Sequence, residues 1–190
     1  MKDKADLRTK LRAARREHVQ AQPGSIRALL FHRPPAPLLA KIGSDAAIGL
    51  YHASDVEAPT SAYAKFFHEA GHAIALPSFL SEDDPMQFRQ HVDPYDRSAL
   101  ESGAFGMMQP PVTAPAISPD VLFVPLVGFT ADGVRLGQGG GHYDRWLAAN
   151  PGRMAIGLAW DAQLCDSLPH EAHDMALDAV VTPTRLYGPF

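Results

Sequence analysis

Short apolar segments alternate along this chain with helix-forming ones, and that order limits the fold more than any other feature. "AAIGLYHA" (46–53) reads as a buried strand, "PTSAYAKFFHEA" (59–70) as a helix with Pro59 in its first turn, and "HAIALPSF" (72–79) as a second strand. Together they make a βαβ unit. Further strands are expected at "VLFVPLVGF" (121–129), "MAIGLAW" (154–160) and "DAVVT" (178–182), with a short helix near 142–149. Strands alternating with helices predict an α/β fold, a mainly parallel sheet flanked by helices. Residues 4–20 add an N-terminal helix with Leu7, Leu11 and Ala14 on one face and arginines and lysines on the other. Residues 21–45 read as irregular, because Pro34, Pro35 and Pro37 break any long element, and "QPPVTAPAISP" (109–119) reads as a loop. At 190 residues and 46% hydrophobic composition, one substantial core and a single domain over 1–190 are expected.

Charge and composition remove several function classes. The net charge is −4, but residues 1–20 carry seven Lys/Arg against Asp3, Asp6 and Glu17, so that segment is +4 and the remainder −8. The bulk therefore repels nucleic acid, while the basic N-terminal element can still meet an anionic ligand. No apolar run approaches the roughly 18 residues of a membrane span. The opening "MKDKADLRTK" lacks the apolar core of a secretory signal, and the single cysteine, Cys165, fits a reducing compartment. A cytoplasmic protein with no membrane partner is expected, a monomer rather than an obligate oligomer.

His68, Glu69 and His72 in "FFHEAGHAIALP" (66–77) have the HExxH spacing of zinc peptidases. Zinc chelation requires one helix to carry both histidines on a shared face. Gly71 stands where a C-terminal cap glycine belongs, and "HAIALP" reads as a strand closed by Pro77, so the helix should stop before His72. The bland reading is a solvated last helical turn.

The richer signal is "VPLVGFTADGVRLGQGGGHYDRWLA" (124–148). Gly137 and Gly139 to Gly141, interrupted only by Gln138, leave backbone N–H groups free to face phosphate oxygens, and the helix that follows adds its N-terminal partial charge. Arg135 precedes the loop, Arg145 follows it, and Asp144 offers a hard oxygen ligand for magnesium. This reads as a phosphate cradle; the competing reading is a flexible surface turn. It fits neither GxxxxGK[ST] nor GxGxxG, since His142 occupies the third glycine position of the latter.

The same segment resembles the signature of the 5-formyltetrahydrofolate cyclo-ligase family, also called 5,10-methenyltetrahydrofolate synthetase. "KADLR" is similar to the family's N-terminal KxxLR, "EAPT" (57–60) to its ExxT, "FGMMQP" (105–110) to its FG…P element, and "AIGLAW" and "PHEAHDMALDAVVTP" to its C-terminal stretch. The likeness runs through almost the whole chain in one order. It implies a scaffold like that of sugar-phosphate isomerases and CoA-transferases. It also implies a ligase that uses ATP and Mg2+ to close 5-formyltetrahydrofolate to 5,10-methenyltetrahydrofolate, releasing ADP and phosphate. The γ-phosphoryl group would pass to the formyl oxygen before ring closure. A non-catalytic relative that binds folate or phosphorylated metabolites on the same fold is the alternative.

Residue by residue, the resemblance assigns Lys4 and Arg8 to nucleotide phosphates, one helical turn apart on one face, against the plainer reading of a solvated basic helix. It assigns Arg135, Leu136, Gly137, Gln138, Gly139, Gly140, Gly141, His142 and Tyr143 to ATP, with Gln138 to His142 also bordering the folate. Arg135, Tyr143 and Asp144 are the implied catalytic residues. Asp144 and Asp178 are the implied magnesium ligands, although an Asp before a strand is ordinarily a turn residue. Glu57 is an implied contact to the pterin N–H groups, and His52 another substrate-lining position that reads equally as a partly buried strand histidine. His142 departs from the aromatic residue usual before the tyrosine, and Ala58-Pro59 from a more polar pair.

Overall fold

The computed structural model describes residues 4–27 and 29–190. Its helix α1 spans Lys4–Ala21, followed by the short helices α2 (Gly24–Arg27) and α3 (Ala36–Leu39). The prolines of this segment start a turn of helix as well as limit it: Pro35 precedes α3 and Pro37 lies in its first turn, where no N–H is needed. A βαβ unit follows, with β1 at Ile48–Gly49, α4 at Ser61–Glu69 and β2 at Ile74–Ser78. Pro59 lies outside α4, contrary to the sequence expectation. Thr60 is the N-cap, and its hydroxyl donates to Tyr51 O at 2.6 Å, fixing the loop after β1.

Next come β3 (Gln87–Gln90), the pair β4 (Glu101–Ser102) and β5 (Met108–Gln109), and β6 (Val121–Pro125). The predicted strand 121–129 does not run through: after Pro125 the chain leaves the sheet and forms a separate hairpin of β7 (Gly128–Phe129) with β8 (Arg135–Leu136). Helix α5 (His142–Ala149), β9 (Met154–Leu158), β10 (Ala179–Val181) and β11 (Leu186–Tyr187) complete the chain. No helix among the described residues is long and apolar enough to cross a membrane.

The main sheet has the order β11-β10-β9-β6-β1-β2-β3; β10, β9, β6, β1 and β2 are parallel, and the two edge strands are antiparallel. The five parallel strands are buried on both faces, as parallel strands under helices must be. Ile48, Ile74, Leu76, Val121, Phe123 and Ile156 face one core with Tyr63 and Phe67 of α4, whereas Ala75, Leu122, Val124, Ala155 and Val180 face the other with Leu147 of α5. Thus α4 and α5 lie on opposite faces. From β1 the chain moves outward to β2, and from β6 it moves the other way to β9, so the gap between β1 and β6 is a topological switch point. Open α/β sheets bind ligands outside the carboxyl ends of their strands at that point.

Helix α4 ends as its sequence dictates. Gly71 adopts φ +92°, His72 N donates to Phe67 O at 2.9 Å and Gly71 N to His68 O at 3.0 Å, the paired bonds of a Schellman motif. His72 has left the helix, and its Nδ1 meets Ala46 O at 2.8 Å. His68 and His72 do not share a helical face.

Candidate active site

A cavity of about 580 Å³ opens at the carboxyl ends of β1, β2 and β6, where Tyr51, Pro77 and Pro125 reach its wall. Lys4, Arg8, His52, Glu57, Arg135, Leu136, Gly137 to Gly141, His142, Tyr143 and Asp144 all line it. Every site residue expected from the sequence is therefore gathered here except Asp178.

The glycine loop is shaped by its backbone. Gly139 (φ +113°) and Gly141 (φ +64°) occupy the left-handed region that favours glycine, and a Cβ on Gly140 would meet the His142 ring at 2.6 Å. Helix α1 braces the loop from one side: Arg8 Nε donates to Gly137 O at 2.9 Å, and Arg12 Nη2 to Gln138 O at 2.6 Å. Arg135, on β8, is 5% exposed; its Nη2 lies 2.6 Å from Asp144 Oδ1, and its buried Nε has no hydrogen-bond partner. Asp144 Oδ1 also accepts Met175 N at 2.9 Å. Burial pushes the Tyr143 hydroxyl well above its ordinary value, Glu57 adds to this and Arg135 opposes it, so Tyr143 faces the cavity as a neutral donor. Burial, then Arg145, holds the His142 imidazole below its usual value, and Arg145 Nη2 lies 3.1 Å from Nδ1.

Glu57 reaches the cavity from the loop after β1 and meets the glycine loop at Gln138. The preceding loop is pinned by Tyr51 Oη donating to Ala58 O (2.7 Å) and Trp160 Nε1 donating to Val56 O (3.1 Å). Glu57 Oε2 accepts Ser54 N and Oγ, both at 2.9 Å, and Oε1 accepts Gln138 Nε2 at 2.8 Å. His52 is exposed beyond the end of β1, which removes the reading of a buried strand histidine.

Asp178 requires a correction. Its Oδ2 accepts Ala155 N at 2.7 Å, at the amino end of β9, whereas the cavity lies past the carboxyl ends of the parallel strands. The register sets Pro125, on the cavity wall, beside Leu158, three residues further along β9 than Ala155, or about 10 Å at 3.3 Å per residue. Asp178 and Asp144 do not meet. The carboxylate that does reach the cavity from "HDMALD" is Asp174, next to the Met175 amide bound by Asp144. Asp174 Oδ2 lies 2.8 Å from Lys4 Nζ and Glu171 Oε2 lies 3.2 Å from it. Burial lowers the Lys4 ammonium, but its bonds to Asp174 and Glu171 outweigh that and leave it raised.

The sequence reading also missed an apolar wall. Phe79, Met86, Phe105, Met107 and Met108 line the cavity opposite the glycine loop. Phe105, 47% exposed and at φ +58°, stands 5.2 Å from the Phe79 ring and 5.5 Å from the His142 ring, centroid to centroid. Gln109 clamps this wall by accepting Phe79 N (3.0 Å) and donating to Phe79 O (3.1 Å). The "FGMMQP" segment was visible in the sequence but carried no role. Arg12 and Arg15 were visible too, at helical spacing from Lys4 and Arg8.

The sequence profile of the 5-formyltetrahydrofolate cyclo-ligase family matches residues 1–183. The Escherichia coli 5-formyltetrahydrofolate cyclo-ligase is 47% identical over 70 residues, covering 36% of this chain and 38% of that one. Its Mycolicibacterium smegmatis counterpart is 33% identical over 122 residues, covering 62% and 63%. The match spans less than two thirds of either relative. The solved structure of Aquifex aeolicus 5,10-methenyltetrahydrofolate synthetase superposes with a TM-score of 0.75 at 26% identity, covering 98% of this chain and 92% of that one. With the profile matching nearly end to end and the fold shared over almost its whole length, this chain belongs to the 5-formyltetrahydrofolate cyclo-ligase family.

Proposed function

We propose that the protein is an ATP-dependent ligase that closes 5-formyltetrahydrofolate to 5,10-methenyltetrahydrofolate, releasing ADP and phosphate. One observation carries the reading: a single cavity joins a glycine cradle ringed by Lys4, Arg8 and Arg135 to an apolar aromatic wall, with Glu57 lining it beside Gln138. The first half suits a triphosphate and the second a flat heterocycle with N–H groups.

A formamide oxygen is a poor leaving group. Transfer of the γ-phosphoryl group to that oxygen lets the anilinic nitrogen of the folate attack the formyl carbon, and phosphate then leaves. The chain's part is to align the partners and offset charge. Arg135, held on the cavity wall by Asp144, offsets charge on the transferring group, Tyr143 donates a neutral hydroxyl, and the apolar wall keeps water from the activated carbon. Magnesium fits the donor set, since it takes one or two carboxylates and completes its octahedron with phosphate oxygens and water. Asp144 would hold it, with Asp174 in place of Asp178. Bound there, magnesium would offset phosphate charge. A monomer in a reducing, cytoplasmic setting is part of this reading, supported by the free Cys165.

The test mixes purified protein with 5-formyltetrahydrofolate and Mg-ATP and follows methenyltetrahydrofolate absorbance and phosphate release together. The expected result is one phosphate per product, abolished by leaving out either ATP or magnesium. Folate binding without turnover would instead identify a non-catalytic relative.

A further inference from the structure

We infer that Arg15 is a positioning residue for folate recognition, a buried cation behind Glu57 that holds this carboxylate in its cavity-facing place. The inference rests on the folate reading of the site.

Arg15 lies on α1 at 5% exposure and does not line the cavity. Its Nη1 donates to Leu126 O at 3.2 Å and stands 3.9 Å from Glu57 Oε1, while its Nε is buried without a partner. Burial lowers the guanidinium, and the Glu57 charge is the strongest influence against that. Tethering α1 to the sheet does not explain a cation here, because Gln163 Nε2 already supplies Leu126 O at 2.8 Å. A buried charge that is only partly bonded is a cost the fold carries unless it serves a partner.

The partner is Glu57. Its two oxygens are held by Ser54 and Gln138, and Gln138 is itself oriented, since its Oε1 lies 3.3 Å from Arg12 Nη2 and its Nε2 therefore turns to Glu57. Lys4, Arg8, Arg12 and Arg15 form one stripe along α1. The first two reach the cavity; the last two act behind it, through Gln138 and Glu57. One helix thus serves both the glycine loop and Glu57.

The test compares Arg15→Gln, which keeps an N–H donor for Leu126 O but loses the charge, with Arg15→Lys, which keeps the charge. Binding of 5-formyltetrahydrofolate and of Mg-ATP is measured separately by calorimetry, with KM and kcat alongside. Arg15→Gln should weaken folate binding at least roughly tenfold, the low end of the coupling between close charge pairs, and leave Mg-ATP affinity unchanged; Arg15→Lys should recover most of it. In a Glu57→Gln background the same substitution should add little, because the partner charge is already gone. Should Arg15→Gln fail to fold, Arg15→Met carries the test through melting temperature, and it must cost less in the Glu57→Gln background than in the wild type. Unchanged folate affinity, equal losses for both ligands, or additive losses in the double variant would overturn the inference. If the wild type itself binds no 5-formyltetrahydrofolate, the folate reading falls and Arg15's role with it.

Discussion

The two halves of the cavity are built in opposite ways. The half proposed for phosphate centres on one continuous stretch, Arg135 to Asp144, shaped by glycine backbone and the start of α5 and braced by Arg8 and Arg12 of α1. The half proposed for folate is assembled from side chains far apart in the chain: Tyr51 and Glu57 after β1, Phe79 after β2, Met86 before β3, and Phe105, Met107 and Met108 around the β4–β5 pair. A site made of contiguous backbone is fixed by local sequence, whereas a wall of scattered side chains exists only once the sheet has set its register. The first should fail abruptly on substitution, and the second by degrees.

The sharpest break is expected at Arg135. Arg135→Ala removes the buried guanidinium beside the cradle, and turnover should fall roughly 10²–10³-fold, the loss typical of one preorganised charge donor. Folate affinity should hold, which direct binding would check; full turnover in this variant would end the assignment. Asp144→Asn should come next. It keeps an oxygen for the Met175 amide but removes the charge facing Arg135, so turnover should drop by about tenfold or more, with a raised magnesium requirement. Asp178→Asn is the control. At the amino end of β10 it should lower the melting temperature and leave the magnesium dependence unchanged, and a shifted magnesium requirement there would revive Asp178 as a ligand.

The folate half should yield more gently. Phe105→Ala removes one ring from a wall that retains Phe79, Met86 and His142, so KM for 5-formyltetrahydrofolate should rise several-fold, on the order of 1 kcal/mol for one aromatic contact. KM for ATP should stay put. A larger effect on ATP than on folate would erase the division between the halves.

That division also accounts for what the sequence disclosed. The βαβ unit, α1, α5 and the glycine loop were legible because each is signalled within a short window by periodicity or by glycine. The split of 121–129 was not: "VLFVPLVGF" is apolar throughout, and only the pairing shows where the strand stops, β6 staying beside β9 through Pro125 while Gly128 and Phe129 turn to β8. Edge strand β3, "QFRQ", has just Phe88 buried and so offered almost no alternation. The metal-side carboxylate went wrong for a related reason. In "HDMALD" the two aspartates lie four residues apart, and only the folded chain tells them apart: Asp174 reaches the cavity from the loop, paired with Lys4, while Asp178 is tied to Ala155 N at the amino end of β9.

The smallest effect should come from the HExxH motif. His68 and Glu69 end α4 on the surface, do not line the cavity, and are separated from His72 by the Gly71 turn. Two zinc ligands at HExxH spacing must project from one continuous helical face to close on a single ion. Here His72 Nδ1 is occupied by Ala46 O, and Glu69 Oε1 is held by the Tyr95 hydroxyl rather than poised over a metal-bound water. His68→Ala and Glu69→Gln should therefore leave cyclo-ligase turnover within about twofold of wild type, since neither residue touches the reacting groups. Metal analysis of the purified protein makes the opposing outcome equally plain: stoichiometric zinc, lost on His68→Ala, would mean that the helix re-forms through Gly71 in solution and that a second site exists on the far side of α4.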